Sequence, residues 1–120
     1  MKHITGIHHV AIKACGQEKY QEVVRFYTDV LELDIASSTP TQTMIDTGAG
    51  LLEIFDNGTD EPGEGAWRHI ALECDDVAGV VETVRAAGYP ITMELKEIPG
   101  RGCIAFVTGA AGESIELYNM

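Results

Sequence analysis

Apolar and polar residues alternate along Ile7-His8-His9-Val10-Ala11-Ile12-Lys13-Ala14, which is the period of a strand, where successive side chains point to opposite faces. His9, Ala11 and Lys13 then share one face, and Val10, Ile12 and Ala14 share the other. His8 falls on the face away from His9 and reads as structural, as does His3. After Gly16 the period changes. Val23, Val24, Phe26, Tyr27, Val30 and Leu31 recur at steps of three and four, which predicts an amphipathic helix over about 17–31. Strands are predicted at 32–36, 43–47 and 51–56, with Thr39-Pro40-Thr41 as a turn and Gly48-Ala49-Gly50 joining the last two.

The same order then returns. After the polar, glycine-rich stretch 57–65, the run from Trp67 to Cys74 predicts a strand, and Asp75-Asp76 offers an N-cap. Val77, Val80, Val81, Val84 and Ala87 form a helical stripe over about 76–87, ended by Gly88. Strands follow at 90–95, 103–108 and 114–119. The fold class is therefore α+β, a single domain of two βαβββ modules: module one 1–57, a connection 58–65, and module two 66–120. Two halves of this size would each be marginal alone, so they are predicted to complete each other.

Side chains with chemistry recur with the pattern. His9 in His9-Val10-Ala11-Ile12 is matched by His69 in His69-Ile70-Ala71-Leu72, and Glu53 in Leu51-Leu52-Glu53-Ile54-Phe55 by Glu116 in Ser114-Ile115-Glu116-Leu117-Tyr118. Taken singly, each has an ordinary structural explanation: a satisfied histidine, or a glutamate on an outward strand face. Together they supply two imidazoles and two carboxylates, and a carboxylate among apolar neighbours is costly to bury unless it is paired or binds a metal. The donor set suits Zn, Ni, Co, Fe or Mn without singling one out.

Charge narrows the partners. With 8 Lys and Arg against 19 Asp and Glu, net −11, the chain lacks the basic surface that nucleic acid or an anionic membrane requires. No apolar run is long enough to span a bilayer, and the N-terminus lacks a secretory apolar core, so a cytoplasmic protein is expected. Cys15, Cys74 and Cys103 are an odd number without paired or metal-type spacing. They fit a reducing compartment and read as small buried or half-buried residues.

The His9 opening, the Arg25-Phe26-Tyr27-Thr28-Asp29-Val30-Leu31 segment, the His69 strand and the closing Ile115-Glu116-Leu117 carry a resemblance to the vicinal oxygen chelate superfamily over essentially the whole chain. The resemblance implies two modules curled into an open β cup around one divalent metal ion, held by His9, Glu53, His69 and Glu116. Ni, Co or Zn is expected there, with Mn or Fe also open. It further implies a homodimer, in which His9 and Glu53 of one subunit would face His69 and Glu116 of the other. Glyoxalase I members carry His or Gln, then Glu, His and Glu, and all four positions match. Methylmalonyl-CoA epimerases usually have Gln at the second, and bleomycin-binding members lack the metal set.

Glyoxalase I also places a basic residue four after the first ligand and an asparagine four after the second. Lys13 and Asn57 stand there, with Arg101 near a further basic position. Lys13 replaces the more usual Arg and lacks its bidentate fork. The Gly109-Ala110-Ala111-Gly112 turn departs from the common Asp-Pro-Asp-Gly. Met44, Phe55, Trp67, Met93, Phe106 and Tyr118 would line the apolar part of the cup. The implied activity converts the hemithioacetal of methylglyoxal and glutathione, or another thiol, to the S-lactoyl thioester. A proton passes through an enediolate, with Glu116 as base and Glu53 as its partner. The alternatives are an epimerase or thiol transferase of the same superfamily, or a non-catalytic small-molecule binding protein.

Overall fold

The computed structural model describes residues 3, 7–59, 69–100 and 102–119. Most of the connection, Trp67 and Arg101 lie outside them. The chain divides into two compact units, Met1–Pro62 and Gly63–Met120.

In the first unit, β1 (His9–Lys13) leads into α1 (Gly16–Arg25), followed by β2 (Asp34–Ser38), β3 (Gln42–Asp46) and β4 (Leu51–Phe55). The sheet order is β1-β4-β3-β2, with β1 parallel to β4 and the other pairs antiparallel. A parallel pair needs a long crossover, and β1 and β4 are separated by the helix and two strands. The helix-facing side of the sheet buries Thr43, Ile45, Leu52 and Ile54 against Tyr20, Val23, Phe26 and Tyr27 of the helical segment. Among the described residues Thr43 is the one polar residue buried in this layer, and it is satisfied by the Tyr20 hydroxyl at 2.6 Å and Ser38 Oγ at 3.1 Å.

The helix predicted to run unbroken to residue 31 is α-helical only to Arg25. Phe26–Val30 is a π-helical turn, closed by the Leu31 N–H donating to the Phe26 carbonyl at 3.0 Å. The Thr28 hydroxyl also donates to the Val24 carbonyl at 2.9 Å. Such a side-chain bond into the ladder accompanies widened or bent turns. Phe26 and Tyr27, adjacent in sequence, both remain in the core with rings edge to face at 5.1 Å.

The second unit repeats the plan with β5 (Ile70–Glu73), α2 (Val77–Ala86), β6 (Ile91–Ile98), β7 (Gly102–Thr108) and β8 (Ser114–Asn119), in sheet order β5-β8-β7-β6. Asp76 caps α2 by accepting from the Gly79 N–H at 3.0 Å. At the other end, Gly88 adopts a φ of 89°, a left-handed conformation that glycine takes without the Cβ penalty. Val77, Val81 and Val84 pack on Ala105, Val107, Ile115 and Leu117 to form this unit's core.

No helix among the described residues is long and apolar enough to cross a membrane. The cysteine expectation holds for Cys74 and Cys103, but Cys15 is exposed. It sits at the N-cap of α1, where the chain leaves the sheet. Burial pushes the Cys74 thiol pKa up, as expected for a group whose charged form is disfavoured away from water.

Candidate functional site

Parallel pairing of first strand with last sets the geometry of both histidine–glutamate pairs. In the first unit Ala11 lies opposite Glu53, which leaves His9 two residues back along the same sheet face. The imidazole Nε2 is 3.5 Å from Glu53 Oε1. In the second unit Ala71 lies opposite Glu116, and His69, immediately before β5, brings its Nε2 to 3.0 Å from Glu116 Oε1. The environments match too. The histidine side chains are 41% and 37% exposed and the glutamates 16% and 18%, so in each unit a sunken carboxylate meets an open imidazole. Among the described residues, no group of three or more His, Cys, Asp or Glu side chains is drawn together.

Each pair fits a pair of ligands on one ion. Two donors about 2.1 Å from a common metal are about 3.0 Å apart at a right angle and about 3.4 Å at a tetrahedral angle. The observed 3.0 and 3.5 Å span that range, and imidazole nitrogen with carboxylate oxygen suits a borderline divalent cation. The same atoms can share a proton when no ion is present.

The surroundings of the two pairs differ. The Gln42 amide Nε2 donates to Glu53 Oε2 and lies 3.9 Å from Met44 Sδ. Glu53 has apolar neighbours along its own strand, as expected, but the adjacent strand β3 adds a polar side chain that the expectation did not include. In the second unit the ring of Phe106, which lies opposite Glu116, meets the His69 ring edge to face at 5.2 Å. His8 is also corrected: it does not point away from His9. Its Nδ1 lies 2.9 Å from His9 Nδ1, with the rings edge to face at 5.2 Å. Regular strand geometry starts only at His9, so the alternation that would separate neighbouring side chains does not reach His8. The contact engages the His9 ring nitrogen that does not face Glu53.

Lys13 and Asn57 fall at the same end of the β1–β4 pair. Lys13 is opposite Phe55, and Asn57 forms a bridge to Cys15 just beyond. Both residues are exposed. Gly58 fits tightly beneath them, with its N–H donating to the Ala14 carbonyl at 2.8 Å. Arg101 is outside the described residues. The Gln42 contact was missed from the sequence, although the alternation of β3 places Gln42 and Met44 on one face, and pairing then sets Met44 against Glu53.

Two units of strand, helix and three strands, each carrying one imidazole–carboxylate pair on its sheet face, define a duplicated βαβββ protein of the vicinal oxygen chelate fold. The chain belongs to the glyoxalase/bleomycin resistance protein/dioxygenase superfamily, whose family model matches residues 6–117. Among solved structures it is similar to lactoylglutathione lyase from Agrobacterium tumefaciens, with TM-score 0.72 and 20% identity, covering 98% of this chain and 96% of that one. It is also similar to the trypanothione-dependent glyoxalase I of Leishmania major, with TM-score 0.72 and 24% identity over 97% and 87% of the two chains. A third relative is a genomically encoded fosfomycin resistance protein of Listeria monocytogenes, solved as a glutamate-to-glutamine variant with Mn(II) and a dihydroxypropylphosphonic acid. Its TM-score is 0.77 and its identity 17%, over 96% and 90%. At these identities the likeness is one of fold. No curated protein sequence matches the chain.

Proposed function

We propose that the protein is a metal-dependent lyase of glyoxalase I type, converting the hemithioacetal of methylglyoxal and glutathione, or of another thiol, to the S-lactoyl thioester. The observation that carries the reading is the repeated pair, His9 with Glu53 and His69 with Glu116, each at ligand spacing on its sheet face. Membership of a largely enzymatic superfamily and the glyoxalase I folds among its structural relatives support it.

In this reading His9, Glu53, His69 and Glu116 hold one divalent ion, one pair from each unit, in a homodimer. When bound, the ion supplies Lewis-acid charge that makes a C–H beside a substrate carbonyl more acidic. Glu116 takes the proton from that carbon and returns it to the neighbouring carbon, while Glu53 remains its partner carboxylate. Lys13, Asn57 and Arg101 hold the carboxylate end of the thiol. Residues four apart on one strand span about 13 Å, which separates Lys13 from His9 by the reach of a tripeptide. Phe55, Phe106 and Tyr118, half-buried and on the sheet faces of the pairs, exclude water around the reacting carbons.

The test is metal analysis of protein purified without chelators, followed by assay of the Ni(II), Co(II) and Zn(II) forms with methylglyoxal and glutathione, then other thiols. Formation of S-lactoyl thioester only in metal-loaded protein is the expected result. Metal-loaded protein that forms no thioester with any thiol would overturn the lyase assignment in favour of another superfamily reaction or a binding role.

A further inference from the structure

The two carboxylates occupy equivalent places in a repeated fold, but the side chains around them differ, and one difference changes the hydrogen bonding. In the first unit Gln42 lies opposite Phe55, and Met44 lies opposite Glu53. In the second unit the corresponding positions are Ile104 opposite Tyr118 and Phe106 opposite Glu116. An amide donor in one unit is thus an aliphatic side chain in the other.

Glu53 is held on both oxygens. Oε1 faces His9, and Oε2 accepts from the Gln42 amide, which is itself half-buried. Within its own unit and among the described residues, Glu116 has no such donor, and its polar contact is to His69 alone. A donor fixed on the second oxygen limits the rotation of a carboxylate and occupies a lone pair that could otherwise take a proton. An amide cannot itself act as a base, so the contact restrains Glu53 without adding a rival proton acceptor.

We propose that Gln42 is a positioning residue that makes the two glutamates unequal: it fixes Glu53 as a permanent metal ligand and leaves Glu116 as the carboxylate able to accept and return a proton. This rests on the metal-centre reading above. It gives the roles assigned above to Glu53 and Glu116 a structural cause in a third side chain.

The test uses Co(II) as the probe, titrated calorimetrically into the metal-free, full-length protein at a temperature where circular dichroism shows every variant folded. Gln42→Met keeps length and volume but removes the donor, and it is expected to weaken Co(II) binding by about 10- to 100-fold, the usual effect of losing a group that orients a ligand. Ile104→Gln places a donor at the equivalent position beside Glu116. It is expected to retain Co(II) while lowering kcat by about tenfold or more, since the proton-carrying oxygen is then occupied. Gln42→Met with unchanged Co(II) affinity, while His9→Ala abolishes binding, would overturn the role of Gln42 and leave the metal centre standing. Unsubstituted protein that binds no Co(II) would overturn the metal centre and this proposal with it. Where Gln42→Met does not fold, Ile104→Gln decides: unchanged kcat overturns the inequality of the two glutamates.

Discussion

Substituting Gly58 by alanine probes the place where the end of β4 closes on the end of β1. A β-carbon there would lie 2.8 Å from the Lys13 carbonyl oxygen, 2.9 Å from its carbonyl carbon and 3.0 Å from its Cβ. Ordinary carbon contacts are about 3.5–4.0 Å. Two of the three obstructing atoms are backbone and cannot rotate away. The same segment is tied by the Gly58 N–H to the Ala14 carbonyl and by the Cys15–Asn57 bridge. Relief must come from shifting strand ends, for which overpacking costs of about 1–3 kcal/mol are usual. Taking about 2 kcal/mol, and an unfolding entropy of about 2.1 cal/mol/K per residue for a chain of 120 residues, Tm should fall by about 8 °C. Differential scanning calorimetry of Gly58→Ala beside Gly50→Ala measures it. A β-carbon at Gly50 meets only the His8 carbonyl oxygen, at 3.9 Å, so that variant should melt near the unsubstituted protein. If both variants melt together, the tight approach is not resisting the added carbon and the reasoning fails.

Four further outcomes are expected. His9→Ala with His69→Ala should abolish stoichiometric divalent metal without loss of folded structure, and retained full occupancy by metal analysis would sink the ligand assignment. Glu116→Gln keeps an oxygen donor and nearly the same volume but removes the base, so kcat should drop by roughly 10² or more with metal retained; an unchanged kcat refutes its role. Lys13→Ala should raise KM for the glutathione hemithioacetal more than it lowers kcat, because an anchoring contact is equal in ground and transition states. The opposite split would place Lys13 nearer the chemistry. The Arg85 guanidinium holds the Glu94 carboxyl below the ordinary carboxylate range, so the stability this pair contributes is present above the unfolded pKa and lost as pH falls through the folded one. Carbon-13 titration should show the Glu94 midpoint rising in Arg85→Gln, and an unmoved midpoint would contradict the pairing.

Strands with one buried face were legible from alternation. β3 and β4 alternate half-buried with buried residues, and their predicted spans lie within a residue of those observed. β2 lay further off, at Asp34–Ser38 against 32–36, because every residue of this edge strand is exposed and no burial pattern marks it. β6 runs on to Ile98 through Lys96 and Glu97, whose exposure hides the strand, and its register with β7 shifts twice. The π turn left no trace in the spacing, since Val30 and Leu31 satisfy a helical period whichever ladder forms. For the candidate site, recurrence selected His9, Glu53, His69 and Glu116. Gln42 was invisible to recurrence, because Ile104 stands at the matching position of the second unit.

In both units the first strand pairs in parallel with the last, β1 with β4 and β5 with β8. The last strand is also interior to its sheet, with a neighbour on either side. Contacts this distant in sequence form late and slow the search for the native state. The histidine is therefore synthesised early and waits for its glutamate until the closing strand has found its register. A one-residue slip of that strand would turn the carboxylate to the opposite face. Each histidine–glutamate pair thus also reports on folding, since it comes together only in a unit whose final strand has docked correctly.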